Sequence, residues 1–264
     1  MKKDCYGASP QLPGARLDGC PNCRMVRLAQ PYLGIMAAMK VLAIIPAYNE
    51  EGSLASTIDE LVASAPGVDY LVINDGSSDS TRQICLENGY RFLDMPVNVG
   101  LSAGFQAGMK YALRNGYDCA VQFDADGQHV PSYIDAMTAT MEASGCDIVI
   151  GSRFVSEKKH ASARMAGSTL IKAMIKLTTG QTVCDPTSGM RLFNRTMIER
   201  FAREKDFGPE PDTLAYLMRH GASVKEVQVQ MRERTTGESY LNFTKSIAYM
   251  LRTSISILFV QWFR

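Results

Sequence analysis

From residue 41 the chain alternates short, wholly apolar runs with longer stretches in which apolar residues recur every three or four positions. Val41, Leu42, Ala43, Ile44 and Ile45 form the first run, which Pro46 is expected to stop. Leu54, Ile58, Leu61 and Val62 then share one face of a helix opened by Asn49-Glu50-Glu51. A second run, Tyr70 to Ile73, precedes a polar helix that ends at Gly89, and a third lies near residues 91–93. A helix over about 102–115 closes at Gly116. Cys119, Ala120, Val121 and Phe123 make the fourth run; Ile134, Met137 and Met141 mark the helix after Pro131, ended by Gly145. Residues 147–150 are the fifth.

Runs that are apolar on both faces, separated by helices, predict an α/β domain: a mostly parallel sheet with helices on both faces. Polar residues recur after the runs, at 46–50, 75–79, 124–128 and 151–153. In a parallel sheet those positions share one edge, so four loops are expected to line one crevice.

The second half is less regular. A basic opening (Lys158, Lys159, His160, Arg164) leads into an apolar helical stretch that stops at Gly180. The turn-rich segment 185–191 leads to Leu192 and Phe193, expected to form an edge strand. A helix after Pro209-Glu210-Pro211-Asp212 stops at Gly221, and Val224, Val227 and Val229 mark a half-buried strand. A last helix, about 240–264, carries aromatic and aliphatic residues with Lys245, Arg252 and Arg264. It suits either an amphipathic element lying in a membrane interface or one packing on the sheet.

The richest chemistry is Asp124-Ala125-Asp126-Gly127-Gln128-His129 at the end of the fourth run. Two carboxylates and an amide oxygen are hard ligands for Mg²⁺ or Mn²⁺, ions that also accept phosphate oxygens and water. The plainer reading is an acidic loop capping the next helix; three neighbouring loops on the same edge weigh against it.

Composition narrows the class. The chain has 264 residues, 46% hydrophobic and 21% charged, which fits one large domain with appendages. A net charge of +1 gives no basic footprint for nucleic acid. No run reaches the roughly 18 apolar residues of a spanning helix. The seven cysteines are scattered, with Cys85, Cys119 and Cys146 in apolar settings, as expected of reduced thiols in a cytosolic chain. Residues 1–38 lack periodicity and read as a disordered leader or as sequence upstream of the true start at Met39. The Cys20/Cys23 pair there has no second pair to complete a zinc site.

Ile45-Pro46-Ala47-Tyr48-Asn49-Glu50, Asn74-Asp75-Gly76-Ser77 with Asp79, Asn98-Val99-Gly100, the Asp124–His129 motif, Gly151-Ser152-Arg153 and Asp185…Ser188-Gly189…Arg191 resemble family 2 glycosyltransferases of the GT-A fold. The likeness is greatest to polyprenyl-phosphate sugar transferases and runs from about residue 41 to 240. It implies a GT-A (Rossmann-like) catalytic domain over 39–239, with 240–264 as a C-terminal amphipathic helix. By resemblance, Pro46, Tyr48, Glu50, Asp75 and Asp79 would hold the nucleoside of the donor. Asp124, Asp126 and Gln128 would bind the metal on its diphosphate. Arg153 and Arg164 would grip phosphates. Arg234, Gly237 and Ser239 match an Arg-x-x-Gly-x-Ser element, and Glu210 or Asp212 would be the acid before the penultimate helix. The family's long forms continue into spanning helices that have no counterpart here.

The expected reaction is inverting transfer from a UDP- or GDP-sugar to a polyprenyl phosphate, with Asp126 and Arg153 central. Arg164, Arg191 and Arg234, with Ser239, would receive the anionic acceptor. A sugar hydroxyl acceptor, as in a growing cell-surface glycan, would need a base, for which Asp185 is the candidate. A silent nucleotide-sugar-binding partner of a membrane complex is the alternative from another class. Expected partners are the donor, the lipid acceptor, a membrane surface and a small membrane protein, at the cytoplasmic face of the cell membrane.

Overall fold

A computed structural model describes residues 39–155, 163–204, 207–233 and 243–259, with backbone alone for 163–166 and 243–247. The 1–38 leader, Lys158, Lys159, His160, Arg234, Gly237, Ser239 and residues 260–264 lie outside the described residues, as does the Arg164 side chain.

The chain runs β1 (Val41–Ala47), α1 (Leu54–Ser64), β2 (Val68–Asn74), α2 (Thr81–Glu87), β3 (Phe92–Asp94), α3 (Leu101–Arg114), β4 (Cys119–Gln122), α4 (Tyr133–Ser144) and β5 (Ile148–Ser152). It continues through α5 (Ala163–Thr179), β6 (Arg191–Asn194), α6 (Arg195–Arg203), α7 (Pro211–Arg219), β7 (Val224–Gln228) and α8 (Phe243–Leu258). The seven strands form one sheet in the order β3-β2-β1-β4-β6-β5-β7. All neighbours are parallel except β6, which runs antiparallel to both β4 and β5.

Alternate residues of each strand feed two cores. Ala43, Ile45, Val72, Val121 and Leu192 meet Leu54, Ile58, Leu61, Ile134 and Met137 of α1 and α4. Leu42, Ile44, Leu71, Ile73 and Phe193 meet Phe105 and Met109 of α3 and Phe201 of α6. A Cβ on Gly108 would collide with Ile44, so this glycine sets how closely α3 lies on β1. Cys85, Cys119 and Cys146 are buried free thiols. Burial pushes Cys119 up to about 12 and Cys85 to about 11.

Three expectations are corrected. Pro46 does not stop β1, which pairs with β2 through Pro46↔Ile73 and Ala47↔Asn74. The reason lies in the ladder: Ile44 O accepts from Phe123 N on the β4 side, so Pro46, two residues on, also faces that side. Pairing with β4 has already ended at Ile44↔Gln122, so no donor is needed there. Val62 is exposed rather than facing the core. Leu192 and Phe193 are not at an edge: β6 is inserted between β4 and β5, with both residues buried, and β7 is the edge strand. The helix α6, absent from the sequence reading, follows directly, its first turn capped by the Asn194 side chain accepting from Met197 N.

Candidate active site

Because β1, β2, β4 and β5 are parallel, their carboxyl ends share an edge, and antiparallel β6 begins on it. Loops 48–53, 75–80, 95–100, 123–130 and 153–155 therefore meet the 185–190 segment along one side of the sheet.

The loops after β1 and β2 are laced together. Asn49, with φ 56° the one positive-φ non-glycine among the described residues, accepts from Ser78 N at 2.8 Å. Glu50 N donates to Thr81 Oγ1 and Glu51 N to Asp79 Oδ2. Asp79 also takes Thr81 N, at 2.9 Å. Burial alone would raise its pKa, but these donors outweigh it and hold the carboxyl below its usual range. Buried Asp75 accepts from Val99 N at 2.8 Å and Gly100 N at 2.9 Å, tying down the entry to α3. Gly76 sits at φ 63° against the 97–98 backbone, leaving no room for a side chain. Asp75 and Asp79 thus bond backbone here, Tyr48 is exposed, and Glu50 accepts from Ser53 Oγ.

Asp124 is held on several sides. Its Oδ1 accepts from Gln122 Nε2 at 3.1 Å. Its N–H donates to His129 Nδ1 at 3.0 Å, which leaves Nε2 as the protonated nitrogen of a neutral ring, 3.5 Å from Asp124 Oδ2. A Cβ on Gly189 would lie 2.7 Å from that same Oδ2, so the glycine keeps the carboxylate's flank clear. Asp126 Oδ1 accepts from Gln128 N, and Gln128 Nε2 donates to Arg232 O at 3.2 Å. Arg232 is itself fixed by a two-pronged ion pair to Glu60, at 2.6 and 2.7 Å. No group of three or more His, Cys, Asp or Glu with metal-holding geometry occurs among the described residues. Two carboxylates and an amide fit an ion that retains water and phosphate oxygens rather than a closed protein cage.

Arg153 and Asp185 form the second cluster. Asp185 is fully buried; Arg153 Nε and Nη2 reach its two oxygens at 2.7 and 2.9 Å. Arg153 N and Thr187 Oγ1 also donate to that carboxylate. Burial opposes the charged form, yet the Arg153 bonds and charge outweigh it and keep Asp185 below the usual carboxylate range. Glu226 on β7 accepts from the N–H groups of Cys184 and Asp185, while Gln228 donates to Arg153 O and accepts from Val155 N.

Arg191 is buried, and its guanidinium donates to the carbonyls of Ser188, Pro186 and Glu210, bracing the 185–190 loop. Glu210 accepts from Ser102 Oγ at the start of α3, while Asp212 accepts from Ser256 Oγ of α8. Sequence reasoning overlooked Gln122, Glu226, Gln228 and Glu60. Gln122, the polar residue ending an apolar run, was the legible one.

A mostly parallel sheet with one reversed strand and an acidic pair at its carboxyl edge is the arrangement of the GT-A fold. The model of glycosyl transferase family 2 matches residues 42–201, and the chain belongs to that family. It is similar to polyprenol monophosphomannose synthase of Mycolicibacterium smegmatis, 28% identical over 221 residues, which are 79% of this chain and 83% of that protein. It is 31% identical over 220 residues to undecaprenyl-phosphate mannosyltransferase of Micrococcus luteus, covering 77% and 88%. Among solved structures, glucosyl-3-phosphoglycerate synthase from Mycobacterium tuberculosis, with Mn²⁺, UDP and phosphoglyceric acid, shares the fold. The TM-score is 0.64 at 19% identity, covering 85% of this chain and 79% of that one. The chain is a glycosyltransferase.

Proposed function

We propose that this glycosyltransferase moves a sugar, with inversion, from a UDP- or GDP-sugar to a polyprenyl phosphate while docked on the cytoplasmic face of the cell membrane. The observation that carries the reading is the outer face of helix α8 and the residue after it. Leu251, Ile255 and Phe259 are 53%, 56% and 62% exposed on one face, while Thr253 and Ser254 are 6% and 7% exposed beneath. Exposed Leu170 and Leu177 of the neighbouring α5, with Lys176 and Arg252, extend an apolar surface with basic flanks. Such a surface matches a bilayer interface with anionic headgroups. No described helix is long and apolar enough to cross a membrane. The two relatives named above carry polyprenol or undecaprenyl phosphate in their names, which supports a lipid acceptor. We commit to the lipid surface rather than a small membrane protein as the occupant of this face.

Asp124, Asp126 and Gln128 are the residues that would hold Mg²⁺ or Mn²⁺, which when bound neutralises the diphosphate leaving group. Arg153, oriented by Asp185 and with Nη1 unpartnered among the described residues, offers a fixed cation to a phosphate. A lipid phosphate is already anionic and needs no base. A sugar hydroxyl would, and Asp185, buried, with both oxygens engaged, is placed to position Arg153 instead. Pro46, Tyr48, Glu50, Asp75 and Asp79 line or brace the side where a nucleoside would sit.

The test is transfer of labelled sugar to polyprenyl phosphate in Mn²⁺, with Asp126→Ala expected to lower it by about a thousandfold. Full transfer by that variant removes the metal assignment. Replacing Leu251, Ile255 and Phe259 with Glu should abolish co-flotation with anionic vesicles; unchanged flotation removes the docking face.

A further inference from the structure

Gln122 is an anomaly in its strand. Cys119, Ala120 and Val121 of β4 are apolar and buried, and the amide that follows them is equally buried, 3% exposed, in register with Ile44 on one side and Arg191 on the other. Its nitrogen donates to Asp124 Oδ1 at 3.1 Å, while its oxygen has no hydrogen-bond partner among the described residues. A buried amide satisfied at one end costs stability that an apolar side chain of the same length would not. The group that gains from it is Asp124.

We propose that Gln122 is a positioning residue for divalent-cation binding: it fixes the Asp124 carboxylate by engaging Oδ1. Oδ2 is thereby left as the freer oxygen, with His129 Nε2 at 3.5 Å and the bare backbone of Gly189 beside it among the described residues. The inference rests on the metal reading of Asp124 and Asp126. Its physical basis is that a carboxylate held in one orientation before binding loses less rotational freedom when a cation arrives, and that partners of a ligand tune its affinity. Sites of this kind break local sequence rules at some expense to the fold, and an amide ending an apolar buried strand is such a break.

The experiment measures Mn²⁺ affinity by electron paramagnetic resonance in the presence of UDP, alongside the thermal midpoint, for Gln122→Met. The expected result is about a tenfold weaker Mn²⁺ affinity together with an unchanged or raised midpoint, a pairing that a merely structural residue would not give. Affinity within about twofold of the parent overturns the proposal, as does a midpoint that falls along with the affinity. Gln122→Asn keeps the amide but withdraws it by one methylene, and should lose Mn²⁺ affinity likewise; it decides the matter if Gln122→Met does not fold. Asp124→Ala separates the two levels. If that variant binds Mn²⁺ as the parent does, the metal reading of the site has failed, whereas loss there with no change in either Gln122 variant defeats this inference alone.

Discussion

The β1–β4 half of the molecule and the layer of α5, α7 and α8 handle polarity in opposite ways. In the first, the buried faces of sheet and helices are apolar, and Asp75, Asp79 and Asp124 stand at the rim, bonded to backbone and amide groups. In the second, Thr253 and Ser254 are buried, and Leu251, Ile255 and Phe259 face outward; Arg191, buried too, belongs to β6. The first half keeps its polar groups at the rim, whereas the second buries hydroxyls and exposes a row of apolar side chains on α8, the contrast on which the proposed lipid-docking face rests.

The largest effect expected from breaking the contrast is at Arg191. Its guanidinium serves three backbone carbonyls around the 185–190 loop. Arg191→Met should lower stability by about 4 kcal/mol, because the buried acceptors lose a fork that no apolar group replaces. Urea unfolding measures it. A loss below about 1 kcal/mol would mean that the loop is held by Asp185 and Glu226 without it.

Next comes a matched pair of isoleucines. Ile58 of α1 is 1% exposed, whereas Ile255 of α8 is 56% exposed. Ile58→Ala should cost about 3 kcal/mol and Ile255→Ala less than about 0.5 kcal/mol in solution. In anionic vesicles the order of importance should reverse, with Ile255→Ala weakening flotation while Ile58→Ala leaves it unchanged in the folded fraction. Equal losses of stability would show that α8 is oriented like an ordinary core helix.

The same contrast explains what the chain disclosed. Strands β1, β2, β4 and β5 were legible because each is an apolar run followed by a polar loop, a pattern that parallel βαβ units impose. Strand β6 was not: with four residues, a turn-rich approach and only Leu192 and Phe193 as its apolar signal, it resembles an edge. Nothing local encodes that it inserts antiparallel between β4 and β5. Helix α6 was legible and overlooked, since Asn194 precedes Met197, Ile198, Phe201 and Ala202 at helical spacing. The carbonyl partners of Arg191 were not legible, because an arginine's sequence neighbours do not say what its guanidinium meets. Met190, Leu192 and Phe193 around it were the hint of burial. For Asp79 the overlooked contact is local: its carboxylate accepts from Thr81 N two residues on, an Asx-type turn just ahead of α2.

A smaller effect, with a sign that pH reveals, is expected at Asp185. Its carboxyl is held below the ordinary value of 3.8 because, although burial opposes the charge, Arg153 more than compensates. A depressed folded-state pKa contributes stability that is complete above the unfolded value and is lost as pH falls through the folded one. Asp185→Asn should therefore be less stable by about 2 kcal/mol at neutral pH, a figure reduced from that of a wholly buried pair because Arg153 is partly exposed. The deficit should narrow as pH drops below about 4. A deficit independent of pH would mean that the Asp185 carboxyl is not depressed in the folded chain and that its charge contributes nothing to stability.

The smallest effect tests two serine hydroxyls of α8 against one another. Ser256 Oγ donates to Asp212 Oδ2 at 2.7 Å, joining α8 to α7. Ser254 Oγ is buried with no hydrogen-bond partner among the described residues. The first hydroxyl makes a bond to a carboxylate, and Ser256→Ala should cost about 1 kcal/mol. The second is desolvated without return, so Ser254→Ala should be neutral or stabilising by a few tenths of a kcal/mol, roughly the penalty it relieves. The two substitutions remove the same atom from the same helix, two residues apart, so thermal unfolding of the pair isolates what the Asp212 bond contributes. If both lose stability equally, the hydroxyl at 254 has a partner in the folded chain and the inner face of α8 is more evenly satisfied. If neither does, the α7–α8 seam is held by the packing of Ile257 and Leu214 in the common core rather than by its polar bonds.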